Sequence, residues 1–481
     1  MKKIFLSILT LTLIFSCMSD EKYDRFNEDP KNPTQVSEDV LFTAATKSLV
    51  DQMSSINVNM NVFRMFAQYC TQVTYIDESN YDLNGRGITD NHWSEMYRDV
   101  LLDLQDSKTK VNENADLTAA EKAGRIAQIE VLSVYAWQQL VDTFGDIPYT
   151  EALNIIDYPL PAYDDAATVI YPDLINRLDA VIPSFDTGEG FNAVADRIYD
   201  GDMGAWKKFA NSLKLRVGMR LSDVNPGLAQ STVESAAPGV FTSNDDNALL
   251  YYQSATPNTN PVWVDLVESG RKDYVATETI VDIMNDLDDP RREFYFRQNV
   301  GPDTYQGGVY GDSNSYTANT QLGDILHEAT TPGVLMDFAE VSFLLATAAT
   351  PEYNFSVGGT TDFFYSRGIE ASIEYWGGLP ADALAYLADP DVAYATAPGT
   401  WREKIGKQFW LAMYNRGFEG WTVWRKYDAP VLNIAAESGL PVPHRYTYPI
   451  DEQNLNVANY DAASANIGGD AQGTKLFWDV N

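Results

Sequence analysis

From Leu41 onward apolar residues return every three or four positions, in runs long enough for helices and broken by Gly, Pro and Asn. Ile126, Ile129, Leu132, Ala136 and Leu140 lay one apolar stripe along a helix of roughly 119–142. The string FGDIPY stops it, because Gly145 can take the left-handed position after the last turn and Pro148 cannot continue a helix. The same period runs through Trp206, Phe209, Leu213, Val217 and Leu221, closed by Asn225-Pro226, and through Leu335, Phe338, Ser342, Leu345 and Ala349. Trp137, Trp206, Trp410, Trp421 and Trp424 fall inside such periods and read as packing residues. Arg216 and Arg220, one turn apart, read as a solvated face or an inter-helix ion pair rather than an anion site.

The pattern predicts helices over roughly 93–105, 119–142, 166–182 and 203–224, then 335–349, 363–376, 401–414 and 418–426. Joined by short connectors, these make about four tetratricopeptide-like pairs, without the strict repeat signature. The stretch from about 236 to 331 has another texture: LLYYQSATPNTNPVW and TYQGGVYGDSNSYTANTQLGD are rich in Asn, Gly, Thr and Tyr and show few helix-length periods. A loop region this long is functional or disordered, and its aromatic content argues against disorder. The expected architecture is mainly α: one domain over 17–481, with helices at about 41–224 and 335–426 and an irregular region at about 236–331.

The first residues change the cellular picture. In MKKIFLSILTLTLIFSCMSDEKYD, Lys2 and Lys3 precede an apolar run, Ile4 to Phe15, too short to cross about 30 Å of hydrocarbon. Residues 1–16 read as a secretory signal peptide. Ser16-Cys17 resembles the site where a diacylglycerol thioether is attached before cleavage, the thiol being the nucleophile; the alternative is an ordinary signal peptide with an incidental cysteine. Loss of Lys2 and Lys3 with the leader takes the formal charge from −34 to −36. Such a charge repels phosphate backbones, which excludes nucleic acid as a partner, and it leaves no polybasic membrane patch. Lipid at Cys17 must then do the anchoring, each buried CH₂ adding about 0.8 kcal/mol.

The chemistry of catalysis is hard to find. Cys70 has no intrachain partner once Cys17 carries lipid, and FAQYC reads as helix with Cys70 a small buried apolar residue. His92, His327 and His444 are far apart, and no HExxH, CxxC, GxSxG or phosphate-loop pattern appears, so neither metal nor cofactor is expected. Sixty-eight carboxylates leave a glycosidase-like pair open without nominating one. GDSN at 311–314 could hold calcium, but no EF-hand spacing is present.

An ordered set of strings resembles the SusD/RagB family of outer-membrane lipoproteins, in its SusD-like branch. They are FNEDPKNPTQV, WSEMYRDVL, YAWQQLVDTFGDIPYTEAL, IYDGDMGAWKKFANSLKLRVGMRLS, SGRKDYVATETIVDIMNDLDDPRREFYF, LMDFAEVSFLLATAA, YSRGIEASIEYWG and KQFWLAMYNRGFEGWTVWRK. The chain departs from the family pattern in PEYNFSVGGTTDF and in WTVWRK, where the family more often has an acidic residue between the tryptophans. The resemblance implies a SusD-like α-helical fold with four TPR-like pairs on one flank, an irregular half that holds the ligand, and no catalytic activity. It also implies a partner, a SusC-like TonB-dependent transporter, and a glycan or peptide as cargo. Asp20 and Glu21 look like the family's signal for the outer face of the outer membrane.

Loop aromatics are the candidate ligand surface. Tyr75, Tyr81 and Arg86 lie in VTYIDESNYDLNGRGITDNHW, Trp263 and Tyr274 in NPVWVDLVESGRKDY, and Tyr305, Tyr310 and Tyr316 in the glycine-rich loop. A pyranose packs its apolar C–H face on a ring, and its hydroxyls pair with planar amide, carboxylate or guanidinium groups such as Asn84, Arg86, Asp265 and Arg271. The competing reading is that these tyrosines pack loops onto the helices. Three function classes stay open: a binding lipoprotein for uptake, a glycan-active enzyme, and a helical scaffold.

Overall fold

The computed structural model describes residues 36–481, so the leader, Cys17 and most of FNEDPKNPTQV lie outside the described residues. Among the described residues up to Tyr427, twelve helices of eight residues or more carry the fold. In chain order they are α1 (Glu38–Ser54), α2 (Ile88–Ser94, continued through the wider turns of Glu95–Leu102 into Asp103–Glu113), α3 (Ala119–Phe144) and α4 (Tyr171–Val181). Next come α5 (Met203–Arg220), α6 (Pro226–Ala236), α7 (Glu278–Asp286) and α8 (Phe338–Ala348). The last four are α9 (Thr361–Tyr375), α10 (Pro380–Leu387), α11 (Trp401–Ala412) and α12 (Gly417–Tyr427). Consecutive helices pack as pairs, α2 on α3, α4 on α5, α8 on α9 and α11 on α12, while α5 and α11 also pack on α8.

Each boundary has a local cause. Thr118 and Glu121 form a capping box at the start of α3, the Glu121 N–H donating to Thr118 Oγ1 at 3.2 Å and the Thr118 N–H to Glu121 Oε2 at 2.8 Å. Gly145 ends that helix with φ of 91°. The second half of α3 is buried on every side, so its polar residues must find partners inside. Asp142 accepts from Tyr171 Oη at 2.5 Å, Trp478 Nε1 at 2.8 Å and Arg220 Nε at 3.2 Å. Burial still raises its carboxyl above the usual range.

Arg216 and Arg220 are buried, which removes the solvated-face alternative and leaves the ion pair. Arg216 donates to both oxygens of Glu340 at 2.5 and 2.8 Å, Arg416 reaches Glu340 at 2.6 Å, and Arg220 reaches Glu419 at 2.9 Å. This network ties α5 to α8 and α12. Trp206, Trp410 and Trp421 are fully buried, with Arg425 3.5 Å from the centre of the Trp421 ring.

The helix expected at Cys70 is not formed. Gln68 takes φ of 55°, which breaks the short helix Phe63–Phe66, and Cys70 instead opens a strand. Among the described residues there are six strands: β1 (Cys70–Gln72), β2 (Ile147–Pro148), β3 (Tyr163–Asp164), β4 (Ala248–Leu250), β5 (Tyr274–Ala276) and β6 (Gly333–Met336). They make three two-stranded antiparallel sheets, β1–β5, β2–β3 and β4–β6. Cys70 is buried, and burial pushes its thiol up to about 12, so it is unreactive packing. The stretch at about 236–331, expected to be irregular with few helix-length periods, contains β4, β5 and α7. Short helices Ile450–Leu455 and Val457–Asn466 follow the last helix pair.

Candidate ligand-binding site

The β1–β5 ladder decides which distant segments meet. Gln72 lies opposite Tyr274 and Cys70 opposite Ala276, and the pairing runs one step further, the Val73 N–H donating to the Asp273 carbonyl at 2.8 Å. The glycine-rich loop seats against both strands. The Gly308 N–H donates to the Ala276 carbonyl at 2.8 Å, and Asn314 donates to Val73 and Gln72 carbonyls at 2.9 and 3.0 Å. Gly307 is required there, because a Cβ would fall 2.2 Å from the Glu278 nitrogen.

A third segment comes from the end of α1. Asn57 donates through Nδ2 to Asp265 Oδ1 at 3.2 Å. Asp265 sits on a helical stretch, Pro261–Trp263 and Val264–Glu268, started by Asn260, whose side chain accepts from the Val262 N–H and donates to the Thr331 carbonyl, both at 2.7 Å. Between the three segments lies a cavity of about 170 Å³ lined by Asn57, Val58, Asn59, Gln72, Tyr75, Arg86, Asp265, Arg271, Asp273 and Tyr274.

Its charges are unequal in their support. Arg86 pairs with the buried Glu78, which Gln72 Nε2 also holds at 2.6 Å. Arg271 pairs with Asp273, and its guanidinium lies 5.9 Å from the centre of the Tyr75 ring. Among the described residues the Asp265 carboxyl has only the Asn57 amide as its hydrogen-bond partner. Burial pushes that carboxyl up to about 6 and the Asp273 charge adds to this, while the Asn57 bond and the Arg271 charge oppose it. With Tyr75 58% exposed, the cavity offers an aromatic surface, planar amides and a carboxylate that lacks a direct cation partner. That set can hold a ring with one apolar face and a rim of hydroxyls.

Five residues nominated from the sequence therefore meet here: Tyr75, Arg86, Asp265, Arg271 and Tyr274. Tyr81 and Tyr310 do not. They are 4% and 0% exposed, with ring centroids 6.0 Å apart, and Tyr81 also packs on Phe66 at 5.6 Å. Their loops fold back on the sheet, and burial of a large ring outweighs its display to solvent. Tyr305 is likewise buried. Asn84 stands on an exposed turn organised by Asp82, and Trp263 lies two residues before Asp265; neither lines the cavity. Asn57, Asn59, Gln72 and Asp273 are lining residues that the sequence reading missed. The only available signal was the run of amides in NVNMN directly after a helix.

The family model described as "Starch-binding associating with outer membrane", of the SusD-like type, matches residues 30–449. The chain belongs to the SusD-like family. Among solved structures, a chitin-binding protein is similar at 28% identity with a TM-score of 0.77, covering 92% of this chain and 100% of that one. A SusD homolog from Bacteroides uniformis is similar at 26% identity and a TM-score of 0.77, covering 92% of this chain and 99% of that one. A chitin-binding SusD homolog from Flavobacterium johnsoniae shares the fold at 24% identity, with a TM-score of 0.75 over 92% of this chain and 97% of that one. No protein with a curated description matches. As expected of a SusD-like fold, this one is mainly helical, with its helix pairs flanking the loop-rich part that contains the cavity. Among the described residues no helix is long and apolar enough to cross a membrane.

Proposed function

We propose that this SusD-like protein is a lipid-anchored, outward-facing binding protein of the outer membrane. It captures oligosaccharides at the Tyr75–Asp265 cavity and passes them to a SusC-like TonB-dependent transporter. The observation that carries the reading is the meeting of an exposed tyrosine, two arginines, two carboxylates and several amides, drawn from three separate segments, around one cavity. The family description and the chitin-binding neighbour at 28% identity support a glycan over a peptide as ligand. The test is calorimetry of the purified protein against soluble chitin, starch and peptide fragments. Tyr75→Ala should weaken glycan binding at least tenfold, as loss of a central contact does. Binding to peptides and to no glycan would reverse the ligand assignment.

The transporter contact is assigned to the helical flank. Ile155, Ile156, Tyr158 and Leu160 are exposed there, and Ile155 and Tyr158 border a groove of about 340 Å³ whose walls include Trp93, Tyr97 and Pro161. An exposed apolar group of this kind marks a protein contact. None of the residues bordering this groove lines the ligand cavity. Ile156→Glu should reduce co-purification with the transporter and leave glycan affinity intact; equal loss of both would merge the two sites.

One observation favours a hydrolase as the second reading. Asp265, with its raised carboxyl, and Asp273, held by Arg271, are two carboxyls in unequal environments within one cavity, as an acid/base pair requires. Counting reducing ends released from the bound glycan decides between the two readings.

A further inference from the structure

A second concavity adjoins the first. It measures about 570 Å³, and its border includes Arg271, Lys272, Arg297, Tyr316, His327 and the carboxylates Asp324 and Glu328. Arg271 belongs to both concavities. The first, at about 170 Å³, falls below the range of roughly 300–1,000 Å³ usual for small-molecule sites, while the second lies within it.

Tyr316 gives the groove an aromatic wall, and its backbone is fixed. Gln321 Nε2 donates to the Tyr316 carbonyl at 3.0 Å, and the turn around it is closed by Ser315 and Asn319, the Asn319 N–H donating to the Ser315 carbonyl at 2.9 Å. Asn319 Nδ2 in turn donates to the Gly307 carbonyl at 2.9 Å, which ties this turn to the segment seated on the sheet. The Lys272 ammonium lies 5.5 Å from the centre of the Tyr316 ring, so the ring is held from the strand side as well. Arg297 is engaged by Asp324 at 2.5 Å, and His327 Nδ1 is paired with the Gly323 carbonyl at 2.9 Å. The wall is therefore built before any ligand arrives, which lowers the ordering cost of binding.

We infer that the cavity and the groove are successive subsites of one oligosaccharide site: the cavity takes a single sugar unit against Tyr75, the chain passes over Arg271, and further units lie against Tyr316. This rests on the proposed glycan-binding function and adds to it a preference for longer chains. Arg271, exposed and already charge-balanced by Asp273, can donate to hydroxyls on either side without leaving a bare charge behind.

The experiment is calorimetry of the full chain with chito- and malto-oligosaccharides of two to seven units, on wild type, Tyr316→Ala, Tyr316→Phe and Tyr75→Ala. In the series that binds, affinity should rise about tenfold from the shortest to the longest member, as one added ring contact provides. Tyr316→Ala should abolish that rise and leave the shortest oligomer unchanged, Tyr316→Phe should keep it, and Tyr75→Ala should weaken every length alike. A flat length dependence in wild type, or an equal effect of Tyr316→Ala at all lengths, overturns the second subsite while leaving capture at the cavity standing. Failure of every oligomer of both series to bind removes the glycan reading and the subsite with it.

Discussion

Asp265 gives the candidate site a pH signature whose size follows from its surroundings. Its carboxyl titrates at about 6 instead of the ordinary 3.8, because burial disfavours the charge and Asp273 stands nearby, with the Asn57 amide and the Arg271 charge in opposition. Sugar hydroxyls donate hydrogen bonds, and a carboxylate accepts them on both oxygens, whereas the protonated acid must use one oxygen as a donor. If the ligand binds the ionised form, the competent fraction falls to about one tenth at pH 5 and is about nine tenths at pH 7, so the apparent Kd should rise roughly tenfold between them. Among the other ionisable groups lining the cavity, Arg86 is paired with Glu78 and Arg271 with Asp273, whose hydrogen bond raises Arg271 further, while Tyr274 is raised by burial and stays neutral. Calorimetry from pH 5 to 8 should therefore show one transition near 6 in wild type and a flat profile in Asp265→Asn. The stability effect has the opposite sense. A carboxyl raised in the fold binds its proton more tightly than the unfolded chain does, so its contribution is present below about 3.8 and is lost as pH rises to about 6. Asp265→Asn should accordingly raise Tm at pH 8 and leave it nearly unchanged at pH 4. A wild-type affinity that does not change between pH 5 and 7, or an Asn variant that keeps the transition, would refute the assignment of Asp265 to the ligand.

Other outcomes are equally specific. Glu340→Ala leaves Arg216 and Arg416 buried without their shared carboxylate and should cost about 3–5 kcal/mol in urea denaturation; a loss under about 1 kcal/mol would show that Glu419 and Asp337 replace it. Tyr81→Ala removes a core ring and should cost about 3–5 kcal/mol of stability, while glycan affinity, measured below the variant's melting temperature, changes less than it does for Tyr75→Ala. Cys17→Ala should move the protein from the membrane fraction to the soluble fraction in a strain lacking the transporter; retention on the membrane would reveal another anchor.

Periodicity and end signals found α2 to α5, α8, α9, α11 and α12, but not α6, α7 and α10, and the helix expected at Cys70 is a strand. The stripe from Ile126 to Leu140 and the stop at Gly145 are local properties, set by turn geometry and backbone conformation, and α3 ends within two residues of the position they indicate. The ordered strings likewise carried the family, since each is a packing or turn motif that the fold repeats in order. The chemistry of the loop residues was legible as a class, aromatic plus planar polar. Its distribution between core and cavity was not. Tyr75 and Tyr81 stand six positions apart in one loop, yet one is exposed beside Arg271 and the other packs on Phe66 and Tyr310. That difference arises from the β1–β5 pairing and from the left-handed turn at Tyr81, φ of 70°, and strand pairing between distant segments leaves no periodic trace in either one. Asn57 and Asp265 meet for the same reason, across a separation that only the packed chain closes. The sequence by itself determined most of the long helices and which side-chain types the loops contain; tertiary structure alone decided which loop residues face the cavity, because burial and register depend on partners remote along the chain.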